Sequence, residues 1–111
     1  MSNLNTRVKI TETPRDGFQA LPGLIPTRQK VAYINRLLQC GFETVEVGSF
    51  VSPRAIPQMA DTGEVLQQLD LSNTKSKIAV LVATAKAAAR ACEFELVDKI
   101  FFPFSLSETF L

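Results

Sequence analysis

The 111-residue sequence contains no histidine. That absence removes the side chain that most often acts as a general base near neutral pH, and also the commonest protein ligand for transition metals. Cysteine is scarce too: Cys40 and Cys92 are far apart and outside any Cys-x-x-Cys spacing, so neither a zinc site nor a disulfide framework is indicated. Both are expected as reduced, mostly buried thiols of a cytoplasmic protein. An excess of one charge is lacking as well. Twelve basic and eleven acidic residues leave a formal net charge of +1, which offers no basis for a nucleic-acid footprint. No apolar run approaches the roughly 20 residues that cross a bilayer, so no membrane partner is expected. The opening Met1-Ser2-Asn3-Leu4-Asn5-Thr6 lacks the basic and apolar regions of a secretory signal.

What is present is a core-forming composition, 46% hydrophobic, in a length suited to one domain. Val8-Lys9-Ile10-Thr11-Glu12-Thr13 is rich in β-branched residues and stops at Pro14, which cannot donate to a ladder, so it reads as a first strand. Residues 27–40 place Val31, Ile34, Leu37 and Leu38 at helical spacing, with Gly41 placed to end the helix. Thr44-Val45-Glu46-Val47 is a second strand. Val65, Leu66 and Leu69 mark a helix over 61–69, with Asp61 or Thr62 as its cap. Ile78-Ala79-Val80-Leu81-Val82 reads as a strand covered on both faces, 85–94 as an alanine-rich helix, and 97–102 as a fourth strand.

Alternating strands and helices argue for an α/β fold with parallel pairing through right-handed crossovers. A doubly wound sheet normally carries Gly-x-Gly-x-x-Gly after its first strand, and Gly17 with Gly23 does not reproduce it. A flavodoxin-like nucleotide module lacks its phosphate turn for the same reason. A TIM (β/α)8 barrel takes about 250 residues. The expectation is the N-terminal portion of such a barrel, about three and a half βα units, with residues 1–111 forming one partial domain truncated after the fourth strand.

Two polar clusters sit just beyond strands, where parallel α/β enzymes keep their chemistry. In Pro14-Arg15-Asp16-Gly17-Phe18-Gln19, read as a loop, Arg15 can face an anion while Asp16 offers a carboxylate to a cation or hydroxyl. A solvated Pro-x-Asp-Gly turn is the alternative. Glu46 interrupts a strand whose valines must point to the opposite face. Directed into a barrel, it needs a cation or hydrogen bonds, and Arg15, or a metal held by Asp16, is the natural partner. A solvated edge position for Glu46 stays open.

These residues resemble a known family. Thr13-Pro14-Arg15-Asp16-Gly17-Phe18-Gln19, Glu46 with Ser49-Phe50-Val51-Ser52-Pro53, and Ile56-Pro57-Gln58-Met59 resemble the N-terminal part of 3-hydroxy-3-methylglutaryl-CoA (HMG-CoA) lyase, of the metal-dependent TIM-barrel lyase and synthase superfamily. The resemblance implies a carbon–carbon lyase that splits HMG-CoA, an acyl-CoA thioester, into acetyl-CoA and acetoacetate, as in leucine degradation and ketone-body formation. It implies Asp16 as ligand to a divalent metal (Mg2+ or Mn2+), Arg15 as the group that binds substrate and stabilises the enolate, and Glu46 as an acidic residue required for activity. Gln19 and Ser49 match positions lining the substrate site, and Ser107-Glu108 resembles a turn after the fourth strand. A homo-oligomer is also compatible with this reading.

The family's other metal ligands, a His-x-His pair and an asparagine, and its catalytic cysteine lie in later strands, and neither Cys40 nor Cys92 matches that cysteine. The isolated chain is therefore expected to be inactive. Phe18-Gln19-Ala20-Leu21 stands where the family has Leu-Gln-Asn-Glu, and Val82-Ala83-Thr84 where it has Thr-Pro-Asn. These departures leave room for another 3-hydroxyacyl-CoA. A non-catalytic barrel fragment, with open edges at its first and fourth strands, is the competing class.

Overall fold

The computed structural model describes residues 7–107. Its elements run β1 (Thr11–Glu12), α1 (Pro14–Gln19), α2 (Thr27–Leu37), β2 (Thr44–Phe50), a 3-10 turn (Pro57–Met59), α3 (Thr62–Gln68), β3 (Lys77–Val82), α4 (Ala85–Ala91) and β4 (Lys99–Phe101). All neighbouring strands pair in parallel, and the spatial order is β1-β2-β3-β4. That sequential order decides the architecture. A doubly wound sheet reverses direction at its switch point, whereas a chain that always steps the same way builds a barrel wall. The chain is thus a partial (β/α)8 barrel with an α/β parallel sheet.

Each helix forms where its apolar residues have a sheet to cover. On α2, Val31 and Ile34, with Leu38 just beyond it, fall on one face and are buried, while Arg36 in the last turn complements the helix dipole. α4 is alanine-rich, and the Thr84 hydroxyl caps it by accepting from Ala87 N at 3.0 Å. β3 is enclosed at its centre, where Ile78, Ala79 and Val80 are fully buried. Val45, Val47, Val65, Leu66, Ile78 and Val80 form the core shared by the sheet and the helices.

Several boundaries differ from the sequence reading, each for a local reason. β1 spans two residues rather than six, because its register begins at Thr11 opposite Thr44 and Val8 and Ile10 stay exposed. β2 runs on to Phe50, carried by β3 alongside it. α2 ends at Leu37, and Gly41, at φ 85°, turns the chain a few residues later. Asp61 occupies the N-cap position of α3 without capping it. Its carboxylate instead meets Thr27 Oγ1 at 2.6 Å and Lys30 Nζ at 2.7 Å. Cys40 and Cys92 are free but exposed, since they follow the last turns of α2 and α4 rather than facing the core.

β2 also carries an irregularity. Glu46 pairs with Ala79, but Gly48 pairs with Val80, so one residue bulges between them. Past the bulge Ser49 stands opposite Leu81, on the same face as Glu46, and Gly48 turns toward α3. A Cβ on Gly48 would lie 2.7 Å from Thr62 Cγ2 and Oγ1. Thr62 cannot retreat easily, because its hydroxyl lies between the carbonyls of Ser49 (2.9 Å) and Met59 (2.8 Å) and shares its one proton between them.

Gly48→Ala is expected to destabilise the chain by about 1–3 kcal/mol through overpacking. Gly17→Ala, where nothing lies within 4 Å, is expected to be neutral or to stabilise by up to about 1 kcal/mol. Urea unfolding midpoints of the two variants check the contrast.

Candidate active site

Arg15, Asp16 and Gln19 lie on α1, a single helical turn and a half rather than the loop that Pro-x-Asp-Gly suggests. Pro14 starts it at a position where no N–H is needed, and Asp16 sits in the first turn near the positive end of the helix dipole. The helix follows β1 directly and packs against β2 and the 3-10 turn.

Glu46 is 3% exposed. Its Oε2 accepts from Arg15 Nε at 2.6 Å, a charge-assisted contact between side chains only 14% and 4% exposed. The valines flanking Glu46, Val45 and Val47, are buried in the helix-side core, so the carboxylate takes the other face. Gln19 joins the pair one turn along α1: its Oε1 accepts from Arg15 Nη1 at 3.3 Å. The guanidinium is thereby held from two sides, by a carboxylate on β2 and an amide on its own helix.

Asp16 stands apart. Its side chain is 75% exposed and lies 3.6 Å from Arg15 Nη1. Among the described residues no group of three or more His, Cys, Asp or Glu side chains gathers as a metal site. A divalent cation takes about six ligands; one exposed carboxylate, with Glu46 already engaged by Arg15, does not make such a site.

Ser49 is 1% exposed, and its Oγ is the one buried side-chain polar atom without a hydrogen-bond partner among the described residues. It lines a groove of about 600 Å³ at the C-terminal ends of β2 and β3, with Phe50, Met59, Thr84, Lys86 and Arg90 among its walls. Arg90 lies over the Phe50 ring at 5.2 Å and the Phe94 ring at 5.9 Å. Ser107 is exposed, with its N–H on Ser105 Oγ at 3.0 Å. Glu108 lies outside the described residues.

Of the residues singled out from sequence, Arg15 contacts both Glu46 and Gln19 and pairs with the exposed Asp16 at 3.6 Å, while Ser49 shares the Glu46 face. Phe18, where the sequence departs from the Leu of the pattern it resembles, is buried and meets Tyr33 edge-on at 5.9 Å. That change is absorbed by packing. Sequence reasoning missed the bulge, and also a buried network of Gln58, Lys30, Asp61 and Thr27 beside α1. The signal for Gln58 was available in Ile56-Pro57-Gln58-Met59, but nothing about a glutamine after a proline states its partners.

The fold and these contacts define a class: the first part of an α/β barrel with a buried arginine–carboxylate pair on the C-terminal side of its sheet. No protein-family model matches the chain. In sequence it is 50% identical over 68 residues to human cytoplasmic 3-hydroxy-3-methylglutaryl-CoA lyase, a match covering 60% of this chain and 18% of that protein. Chicken mitochondrial hydroxymethylglutaryl-CoA lyase is 46% identical over 65 residues, 58% of this chain and 22% of that one. In fold it superposes on an HMG-CoA lyase of Acinetobacter baumannii, solved with coenzyme A and 3-methylmalate, at a TM-score of 0.87 and 34% identity, over 98% of this chain and 35% of that one. The Brucella melitensis HMG-CoA lyase gives 0.84 and 37%, over 93% and 36%. The chain resembles an N-terminal portion of HMG-CoA lyase. It spans about a fifth of the length of the curated relatives it matches, 18–22%.

Removing the Ser49 hydroxyl takes away no hydrogen bond that folding uses. Ser49→Ala is therefore expected to leave stability within about 0.5 kcal/mol or to raise it, because a buried polar group without a partner is a cost. Thr62→Val, which removes the donor that the Ser49 and Met59 carbonyls share, is expected to cost about 1–3 kcal/mol. Thermal unfolding of both variants checks the prediction.

Proposed function

We propose that this chain carries the first part of the active site of a carbon–carbon lyase that cleaves HMG-CoA to acetyl-CoA and acetoacetate. The observation that carries the reading is the buried Arg15–Glu46 pair, with Gln19 on the second edge of the guanidinium. Likeness to lyases in sequence and fold supports it, and a neighbour bound to coenzyme A supports an acyl-CoA thioester as substrate class.

In a retro-Claisen cleavage the C3 hydroxyl loses its proton, the C2–C3 bond breaks, and its electrons pass to the thioester as an enolate. Protonation at carbon then gives acetyl-CoA, while C3 becomes the ketone of acetoacetate. Charge develops on the thioester oxygen, and donors preorganised toward that point lower the barrier. Arg15 serves there: Glu46 occupies Nε, Gln19 and the Asp16 carboxylate lie against Nη1, and Nη2 is left for the substrate. Glu46 also prevents reorientation of the guanidinium as charge moves. Ser49 offers a hydroxyl without a competing partner to a polar substrate group.

Arg15 is no base, since a guanidinium does not deprotonate, and we assign Glu46, engaged by Arg15 through Oε2, to holding it. Proton transfer thus belongs to other residues of the whole protein, and the isolated chain is catalytically incomplete. Among the described residues, Asp16 is the ligand that this reading offers a Mg2+ or Mn2+ ion. A cytoplasmic location, a role in leucine degradation and ketone-body formation, and homo-oligomeric assembly accompany the reading. No helix among the described residues is long and apolar enough to cross a membrane.

A chimera tests it. Residues 7–107 replace the matching segment of the Brucella relative, and HMG-CoA cleavage is followed by acetoacetate release. Arg15→Gln is expected to lower kcat by about 10²–10³ with a smaller change in KM, as for loss of one charge-stabilising donor. Cleavage by the chimera that is indifferent to Arg15→Gln would refute the assignment.

A further inference from the structure

α1 is six residues long, too short to hold its own shape in water. The orientation of Arg15 must therefore come from what grips the helix. One grip is the Glu46 contact and a second is Phe18 against Tyr33. The third is Gln58, from the turn that follows β2. It is 6% exposed, and its amide is spent almost entirely on the segment carrying Arg15. Nε2 donates to Phe18 O at 3.2 Å and Gly23 O at 2.8 Å, and Oε1 accepts from Ile25 N at 2.9 Å.

Gln58 is itself anchored. Its backbone carbonyl accepts from Lys30 Nζ, and Lys30, 3% exposed, pairs with Asp61 at 2.7 Å. Thr27 Oγ1 donates to the second Asp61 oxygen at 2.6 Å. The start of α2, the turn after β2 and the start of α3 are thus locked together, and the Gln58 amide extends from that block to clamp 18–25. We propose that Gln58 is the positioning residue of Arg15: it fixes the C-terminal end of α1 and the following loop, so that the Arg15 guanidinium meets Glu46 in one geometry.

The readout is the Arg15 Nε–H resonance in a proton–nitrogen spectrum of the full chain, its bonded position set by wild type and its released position by Glu46→Gln. Gln58→Met, close in size but without the amide, is expected to move that resonance more than half of the way to the released position. Ile78→Val, a core change on β3 that touches none of the Gln58 hydrogen bonds, is expected to leave it in place, so lost stability alone does not account for the shift. Gln58→Asn, which keeps the amide but falls one methylene short, is expected to behave like Gln58→Met. Hydrogen exchange in wild type needs no variant: the Ile25 N–H and Arg15 Nε–H are expected to share one protection factor. An unmoved resonance in the Gln58 variants, an equal shift in Ile78→Val, or tenfold different protection would overturn the proposal. No substrate is involved, so failure of the lyase reading is a separate result.

Discussion

A carboxylate buried to 3% exposure on the inner face of a parallel sheet has to be met by a cation, and the Arg15–Glu46 contact is how this chain meets it. Desolvating either charge alone costs several kcal/mol. The pair therefore constrains its surroundings: α1 must sit over β2, its loop must be held there, and β2 must keep Glu46 facing inward. The last condition coexists with a second inward residue only because the strand bulges after Glu46, which brings Ser49 to the same face. Gly48 is what that bulge requires, since a side chain there would strike Thr62.

The polar groups are separated by face. Toward the helices the sheet shows Val45, Val47, Ile78 and Val80, a continuous apolar layer. Toward the interior β2 shows Thr44, Glu46 and Ser49. At the opposite end of that face Lys99 reaches across β3 to Thr44 Oγ1 at 2.8 Å and Glu43 at 3.3 Å. One end is thus closed by a satisfied network, while the other retains an unpartnered hydroxyl and a guanidinium with spare donors. That asymmetry agrees with the rule that barrel chemistry sits beyond the C-terminal ends of the strands.

The sheet, its helices and the inward direction of Glu46 were legible in the sequence because they rest on periodicity: Val45 and Val47 alternate with the glutamate, and Val31 and Ile34 recur at helical spacing. α1 was not legible, since Pro-Arg-Asp-Gly is equally good turn and helix-start chemistry and only the contact with β2 selects the helix. The sequence offers Asp61 or Thr62 as a cap because such a residue before an apolar helix usually is one. A buried lysine 31 positions away competes successfully for its carboxylate, and no local pattern reports that. The bulge escaped for a similar reason, as Val-Gly-Ser reads as the end of a strand until its partner is known. The cysteines were assigned to the interior from residue preference alone, yet they fall past the ends of helices, where the chain is in solvent.

The central claim is that Arg15 and Glu46 act as one unit. The direct measurement is a double-mutant cycle in urea unfolding with Arg15→Met, Glu46→Gln and the double variant. A coupling of about 1.5 kcal/mol or more is predicted, because each single change strands a buried partner that the second change removes. Single effects that add to within about 0.5 kcal/mol would contradict the account.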